Sequence, residues 1–236
     1  MQVVLKAVGL VRLTVVGSGP ASLQKLATIW PMARIILLNK PYGVMTQFSP
    51  VEGKQTLKDY IAIPGVYSAG RLDADSEGLL LLTDDGGLQA RIANPKFKLE
   101  KTYWAQVEGV PTEAQLTKLQ APLDLGDFVT QPCQARQIEE PAGLWPRHPP
   151  IRVRLSVPTS WIELTIREGK NRQVRRMTAK VGLPTLRLIR ARIGPWSLGE
   201  MQPGEWCETS DIPAELRASQ APSPQSAPRK SFRRRF

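Results

Sequence analysis

The chain has 236 residues, 42% hydrophobic and 22% charged, which are ordinary proportions for a globular protein with room for one large domain. Its 32 Lys and Arg against 21 Asp and Glu give a net charge of +11. This favours a polyanionic partner, because each cation placed near a phosphate releases a condensed counterion. Nucleic acid is the first candidate and an anionic membrane surface the second. The one histidine, His148, sits in a Pro-rich segment, which argues against a His-based triad, a zinc deaminase and an HExxH site. Cys133 and Cys207 stand far apart without a CxxC pair, so they read as reduced thiols of a cytoplasmic protein with no metal. No apolar stretch is long enough to span a bilayer. Chemistry here must rest on carboxylates, Tyr, Lys and Arg.

In chain order, residues 1–31 differ from the rest. Lys6 and Arg12 interrupt an apolar run that Gly17-Ser18-Gly19-Pro20 then breaks, a pattern unlike a signal peptide. We expect an N-terminal extension over 1–31, non-native or dispensable, with Met32 as the natural start. The unbroken apolar run predicts a strand over Ile35–Leu38, then a turn at Lys40-Pro41-Tyr42-Gly43-Val44 and a short helix over Thr56–Ile61. Strands are expected over Val66–Ala69 and Gly78–Thr83, the second covered on both faces. A short helix near Leu88–Ala93 should stop at Asn94-Pro95.

Thr102–Glu108 alternates as a strand does, and Thr112 is suited to cap a helix reaching Gln120. Ile151, Val153 and Leu155 predict another strand, with Arg152 and Arg154 facing out, and Ile162, Leu164 and Ile166 repeat the pattern. A helix capped by Asn171 follows, then strands around Leu186–Ile193 and Glu205–Glu208. Strands and short helices without βαβ regularity indicate an α+β fold. The main folded domain is expected over 32–211. A basic tail over 212–236, ending Arg233-Arg234-Arg235-Phe236, reads as disordered. It serves either to solubilise the chain or to stack on RNA.

Three segments carry candidate chemistry. Asp73, Asp75 and Glu77 place three carboxylates in five residues of a loop between strands, with Arg71 two positions before the first. A rigid scaffold often presents catalytic groups on such loops, although Asp and Ser there also commonly cap turns. On the helix after Asn171, Arg172, Arg175, Arg176 and Lys180 fall on one side and Val174, Met177 and Val181 on the other. The first face is either merely solvated or, with Lys170 at a helix N-terminus, built for phosphates. Tyr103 on its strand is either a core aromatic or a site residue. Arg152, Arg154, Arg187, Arg190 and Arg192 are expected on outward strand positions as phosphate contacts.

Together these segments resemble the RsuA-type family of pseudouridine synthases. Gly70-Arg71-Leu72-Asp73 followed by Gly78-Leu79-Leu80-Leu81-Leu82-Thr83-Asp84-Asp85-Gly86 looks like the central signature of that family. Lys40-Pro41-Tyr42-Gly43-Val44, Lys101-Thr102-Tyr103 and Glu168-Gly169-Lys170-Asn171-Arg172-Gln173-Val174-Arg175-Arg176-Met177 look like its other three motifs, in order, within about residues 33 to 208. The resemblance implies a long, mixed, mostly antiparallel sheet flanked by helices, with a central RNA-binding cleft.

By motif position Asp73 corresponds to the essential aspartate, Tyr103 to the tyrosine that stacks on the target base, and Arg175 to the cation paired with the aspartate. Arg71 and Leu72 are expected to shape the pocket. Lys40, Lys101, Lys170, Arg172, Arg176, Lys180 and Arg190 are expected to meet RNA. Residues 1–31 are too short for the S4 domain of many members, so the chain looks like the short branch that modifies large-subunit ribosomal RNA. The resemblance implies a monomer with no metal and no organic cofactor. Two alternatives stay open: a non-catalytic RNA-binding or ribosome-assembly protein, and a metal-dependent phosphodiesterase using Asp73, Asp75, Asp84 and Asp85.

Overall fold

The computed structural model describes residues 33–217 apart from 95, 96, 98, 153 and 155. The expected extension over 1–31 and most of the expected tail lie outside the described residues. At the centre is strand β3 (Glu77–Thr83), with all seven residues buried, as an apolar run covered on both faces must be. β1 (Ile35–Lys40) pairs with it antiparallel, Ile35 opposite Thr83 and Lys40 opposite Gly78. β2 (Tyr67–Ser68) meets the far end of β3, and β9 (Trp206–Thr209) lies outside β1. The other half consists of β4 (Lys101–Glu108), β5 (Gln134–Ile138), β6 (Thr159–Ile166) and β7 (Thr185–Ile193), with β8 (Trp196–Ser197) paired to β7. The strand order is β5-β6-β4-β7-β3-β1-β9.

This is the expected mixed, mostly antiparallel sheet of an α+β fold. Its two antiparallel halves meet at a short parallel seam, where Glu77 faces Ile189 and Gly78 faces Arg190. Gly78 has φ +101°, and a Cβ there would collide with the backbone carbonyl of Arg190. Only glycine lets the two strands approach so closely.

Period-2 alternation sorts the core onto two faces. On one face a single cluster crosses both halves, joining Ile35, Leu37, Leu79 and Leu81 to Ile189, Ile193 and Trp161. The opposite face carries two separate clusters. Ile36, Leu38, Leu80 and Leu82 pack with Leu57 and Leu72, while Tyr103, Ala105, Ile162, Leu164 and Leu188 pack with Val174 and Met177. Leu72 from one cluster and Tyr103, Leu188 and Val174 from the other line a cleft between them.

Helix starts follow local chemistry. In α1 (Gly86–Ala93) the Asp85 side chain accepts from Leu88 N at 2.9 Å. In α2 (Glu113–Gln120) Thr112 and Gln115 form a reciprocal capping box. α1 ends at Asn94, which is extended as the residue before a proline is expected to be. α3 (Gln173–Lys180) departs from expectation. Its N-cap is Arg172, in a left-handed conformation (φ 49°, ψ 30°), and not Asn171.

Three further expectations change. Ile151, Arg152 and Arg154 lie outside any strand, in a stretch that follows Pro149-Pro150; Val153 and Leu155 lie outside the described residues. The edge strand of that half is β5, which alternation misses because only Ala135 in it is fully buried. The packed region also continues past residue 211: Ile212 and Leu216 join the core, and Arg91 Nε donates to Leu216 O at 2.7 Å. Finally, Arg187 and Arg190 are not outward. β7 is covered on both faces over Arg187–Ala191, so alternation along it does not mark a solvent side.

Candidate active site

The loop between β2 and β3 is held by its backbone at every step from residue 71 to 75. Arg71 O accepts from Arg190 Nη1 at 3.1 Å, and Leu72 O from the Thr46 hydroxyl. Asp73 O accepts from Ser76 N at 3.0 Å and Ala74 O from Gly43 N at 2.7 Å. Asp75 O accepts from Arg175 Nη2 at 2.6 Å. Donors thus come from β7, from α3, from the turn after β1 and from the loop itself. Five occupied carbonyls in succession fix the backbone, while the Asp73 side chain stays 39% exposed towards the cleft. A carboxylate on an immobile loop is the preorganised geometry that catalysis favours.

Two arginines of the α3 region face this loop, and their roles differ from expectation. Arg172 grips Asp75 through two hydrogen bonds, at 3.0 and 2.9 Å, and brings Nη1 within 3.8 Å of Asp73 Oδ2. Arg175, expected beside Asp73, pairs instead with Asp75, its Nε 3.5 Å from Oδ2. The reason is depth. Arg175 lies one helical turn further in and is only 12% exposed, so it meets the loop backbone, while Arg172 stands at the mouth. Burial alone would push the Asp75 carboxyl up, but the Arg172 hydrogen bonds and the charge of Arg175 bring it below its usual range. Asp75 is therefore an anion that orients two cations, and Asp73 is the carboxylate left open.

The cleft has a volume of about 570 Å³ and is lined by Arg71, Leu72, Asp73, Tyr103, Lys101, Lys170, Arg172 and Arg190, among others, a size suited to a small organic group. Arg71, Lys170 and Arg172 are exposed. Tyr103 is 8% exposed and faces Arg190 across the β4–β7 ladder. Lys101 donates to Leu99 O at 2.8 Å, and burial together with the Arg190 charge lowers its ammonium to about 8.

Four of the expected RNA contacts are placed differently from the exposed cations at the cleft mouth. Lys40 is fully buried, donates to Pro41 O and Val44 O at 2.8 and 3.0 Å, and is lowered by burial to about 7. Its position at the end of β1 takes it into the core, so it braces the turn that holds Ala74. Arg190 is also buried and holds backbone. Arg176 is engaged with Asp127 and Leu125 O, tying α3 to the turn over 124–129. Lys180 is exposed on the last turn of α3, away from the cleft lining.

Several contributors escaped sequence reading. Gly43 holds the loop from the Lys40–Val44 segment, read as a turn and as a family motif, and Thr46, just beyond that segment, drew no reading. Gln173 is buried and bonds both Lys170 N and Glu168, shaping the start of α3. Glu77, read as a loop carboxylate, is instead buried in a pair with Arg187. Only the resemblance of 168–177 to a known motif drew attention to Gln173. Asp73 and Asp75 do not join Asp84 and Asp85. Seven strand residues, roughly 20 Å, separate the pairs, Asp84 binds Arg34, and Asp85 caps α1. The four-carboxylate phosphodiesterase site is therefore not assembled.

Comparison with known proteins identifies the family. Residues 34–180 match the family described as RNA pseudouridylate synthase. The chain is 55% identical over 177 residues to the ribosomal large subunit pseudouridine synthase E of Vibrio vulnificus, covering 75% of each protein. It is 57% identical over 174 residues to the protein of the same name from Xanthomonas campestris, covering 73% of this chain and 93% of that one. A solved pseudouridylate synthase superposes with a TM-score of 0.63 at 28% identity, over 78% of this chain and 72% of the other. On these matches the chain belongs to the RNA pseudouridylate synthase family.

Proposed function

We propose that this enzyme converts a specific uridine of large-subunit ribosomal RNA into pseudouridine, with Asp73 as the catalytic carboxylate. The observation that carries the reading is a convergence on one cleft. An open carboxylate on a fully tied loop, a buried tyrosine and a mouth of exposed cations all line the same space. The choice of RNA rests on the names of the relatives above. The protein acts, in this reading, as a cytoplasmic monomer on its substrate RNA.

In the reaction the C1′–N1 bond breaks and a C1′–C5 bond forms. The C5 hydrogen leaves as a proton and N1 gains one, so composition is unchanged and no co-reactant is consumed. The target base must leave its stack, at a cost of about a few kcal/mol, offset by stacking and polar contacts inside the cleft. Tyr103 supplies the aromatic surface. Arg71, Lys170 and Arg172 meet phosphates, which position RNA without reading its sequence. Asp73 acts on the sugar or the base as nucleophile or general base.

Asp73→Asn is expected to lower the single-turnover rate by at least ~10³-fold while RNA binding stays within about threefold, since the side chain keeps its shape and loses its charge. Near wild-type turnover in that variant overturns the assignment. Pseudouridine mapping of ribosomal RNA from cells with and without the gene identifies the target. An unchanged map, with RNA binding intact, would favour a non-catalytic binding protein.

A further inference from the structure

Two buried polar atoms of residues that line the cleft have no hydrogen-bond partner among the described residues. Arg190 is 5% exposed, and its Nε and Nη1 donate to Leu79 O and Arg71 O at 2.8 and 3.1 Å, but its Nη2 is buried without a hydrogen bond. Ser76 is 1% exposed, and its Oγ is equally unpartnered. Both residues line the cleft. They are also close in topology: Gly78 faces Arg190 across the parallel seam, and Ser76 lies two residues before Gly78, at the entry to the strand. Buried polar atoms are almost always satisfied, so a donor left open beside a cavity points to an acceptor that arrives with a ligand.

The surroundings indicate which acceptor. Tyr103, the aromatic surface, sits opposite Arg190 in register, so a base against Tyr103 lies over Arg190. The exposed cations stand at the mouth, where a phosphate keeps part of its hydration. A phosphate drawn down to this floor would lose its hydration, which is far more costly than burying a neutral carbonyl that finds a donor. Among the described residues no carboxylate pairs with the Arg190 guanidinium, which holds Leu79 O and Arg71 O, and the nearby Lys101 is also a cation. The floor therefore favours an oxygen on which negative charge grows.

We propose that Arg190 Nη2, with Ser76 Oγ beside it, holds a carbonyl oxygen of the flipped uracil and takes up the negative charge reaching that oxygen as the C1′–N1 bond breaks. The bonding pair stays on the uracil, spread over N1 and its carbonyl oxygens. When C5 bonds to C1′ the C5 proton leaves, N1 takes up a proton, and the charge at the site disappears. Because the contact is strongest while the base is anionic, it raises the rate more than the affinity. The inference rests on the pseudouridine synthase reading above, and Asp73→Asn tests that reading on unmodified RNA independently.

The test leaves the protein intact at first. Substrate RNAs carrying 2-thiouridine or 4-thiouridine at the target position replace one carbonyl oxygen at a time with sulfur, a poorer acceptor. One of the two is expected to slow single turnover by about tenfold or more, the other little, with the dissociation constant nearly unchanged. Ser76→Ala, a small change at a side chain without a partner, should slow the uridine substrate and shrink the thio penalty, so that the two losses are not additive. Arg190→Lys should shrink it further if it folds by circular dichroism; Ser76→Ala decides the matter if it does not. Three results overturn the proposal: both thio substrates reacting at the uridine rate, a penalty confined to binding, or thio and Ser76→Ala losses that simply add.

Discussion

Arg187 and Arg190 lie three residues apart on β7, both more than nine-tenths buried, on opposite faces of the sheet. Arg187 is electrically closed. Its Nε and Nη2 meet both oxygens of Glu77 at 2.8 and 2.9 Å, Trp145 donates to the same carboxylate at 2.7 Å, and the guanidinium lies 5.6 Å from the Trp145 ring centre. Arg190 has two carbonyls, no carboxylate among the described residues and an Nη2 group without a partner. The contrast teaches how to read a buried cation. Where counter-charge and hydrogen bonds are complete, the group fixes a fold; where they are incomplete next to a cavity, the missing part belongs to the ligand. In this protein the closed pair stands behind the start of β3, directly after the loop that carries Asp73.

Opening the closed pair should give the largest stability effect. Glu77→Gln leaves Arg187 buried without its counter-charge, and breaking a buried pair from one side costs about 3–5 kcal/mol. Urea unfolding of the variant is expected to show a loss of that size with an unchanged slope. A loss below about 1 kcal/mol would mean that Arg187 tolerates burial without Glu77, and the distinction between the two arginines would fail.

Lys40 sharpens the comparison as a buried group with hydrogen bonds but, among the described residues, no paired carboxylate. Its ammonium falls from 10.5 to about 7, chiefly through burial, against the attraction of Glu77. The unfolded chain therefore binds a proton at this site more readily than the native one between pH 7 and 10. Native stability from this group rises with pH across that window, by at most ~1.4 kcal/mol per pH unit, and its penalty is fully present below pH 7. Lys101, lowered to about 8, adds a term of the same sign over a narrower range. Lys40→Met is expected to flatten the slope of unfolding free energy against pH between 7 and 10 relative to wild type. An unchanged slope would place the titration elsewhere.

What the sequence made legible depended on one-sided patterns. β4 and β6 alternate, β3 is an unbroken apolar run, and Thr112 with Gln115 writes its own cap, so each could be read locally. β7 is covered on both faces, so Arg187 and Arg190 looked like surface cations. β5 buries a single residue fully and left no signal, while Ile151, read as the start of a strand, lies outside any strand. At the site, Asp73, Tyr103 and the basic start of α3 were legible through their motifs. The pairing of Arg172 and Arg175 with Asp75 was not, because those contacts span about 100 residues of chain. An unpartnered atom such as Ser76 Oγ is a property of packing, and composition does not encode it.

Arg172 is the exposed counterpart of the two buried arginines and carries the smallest stability effect with a separate kinetic one. Among the described residues it is the one non-glycine with positive φ, a conformation that costs an L-residue roughly 1–2 kcal/mol. The strain places its guanidinium over Asp75 and 3.8 Å from Asp73. Arg172→Gly removes the strain but also a partly exposed ion pair worth at most about 1 kcal/mol. The two nearly cancel, so unfolding free energy should move by no more than about 1 kcal/mol. The rate should still fall about tenfold or more, because the cation beside the open carboxylate is lost. Arg172→Lys should recover only part of it, since an ammonium cannot grip Asp75 with two parallel bonds while facing Asp73. If the glycine variant turned over normally, the strained backbone would have no catalytic purpose, and Arg175 alone would serve as the cation at this site.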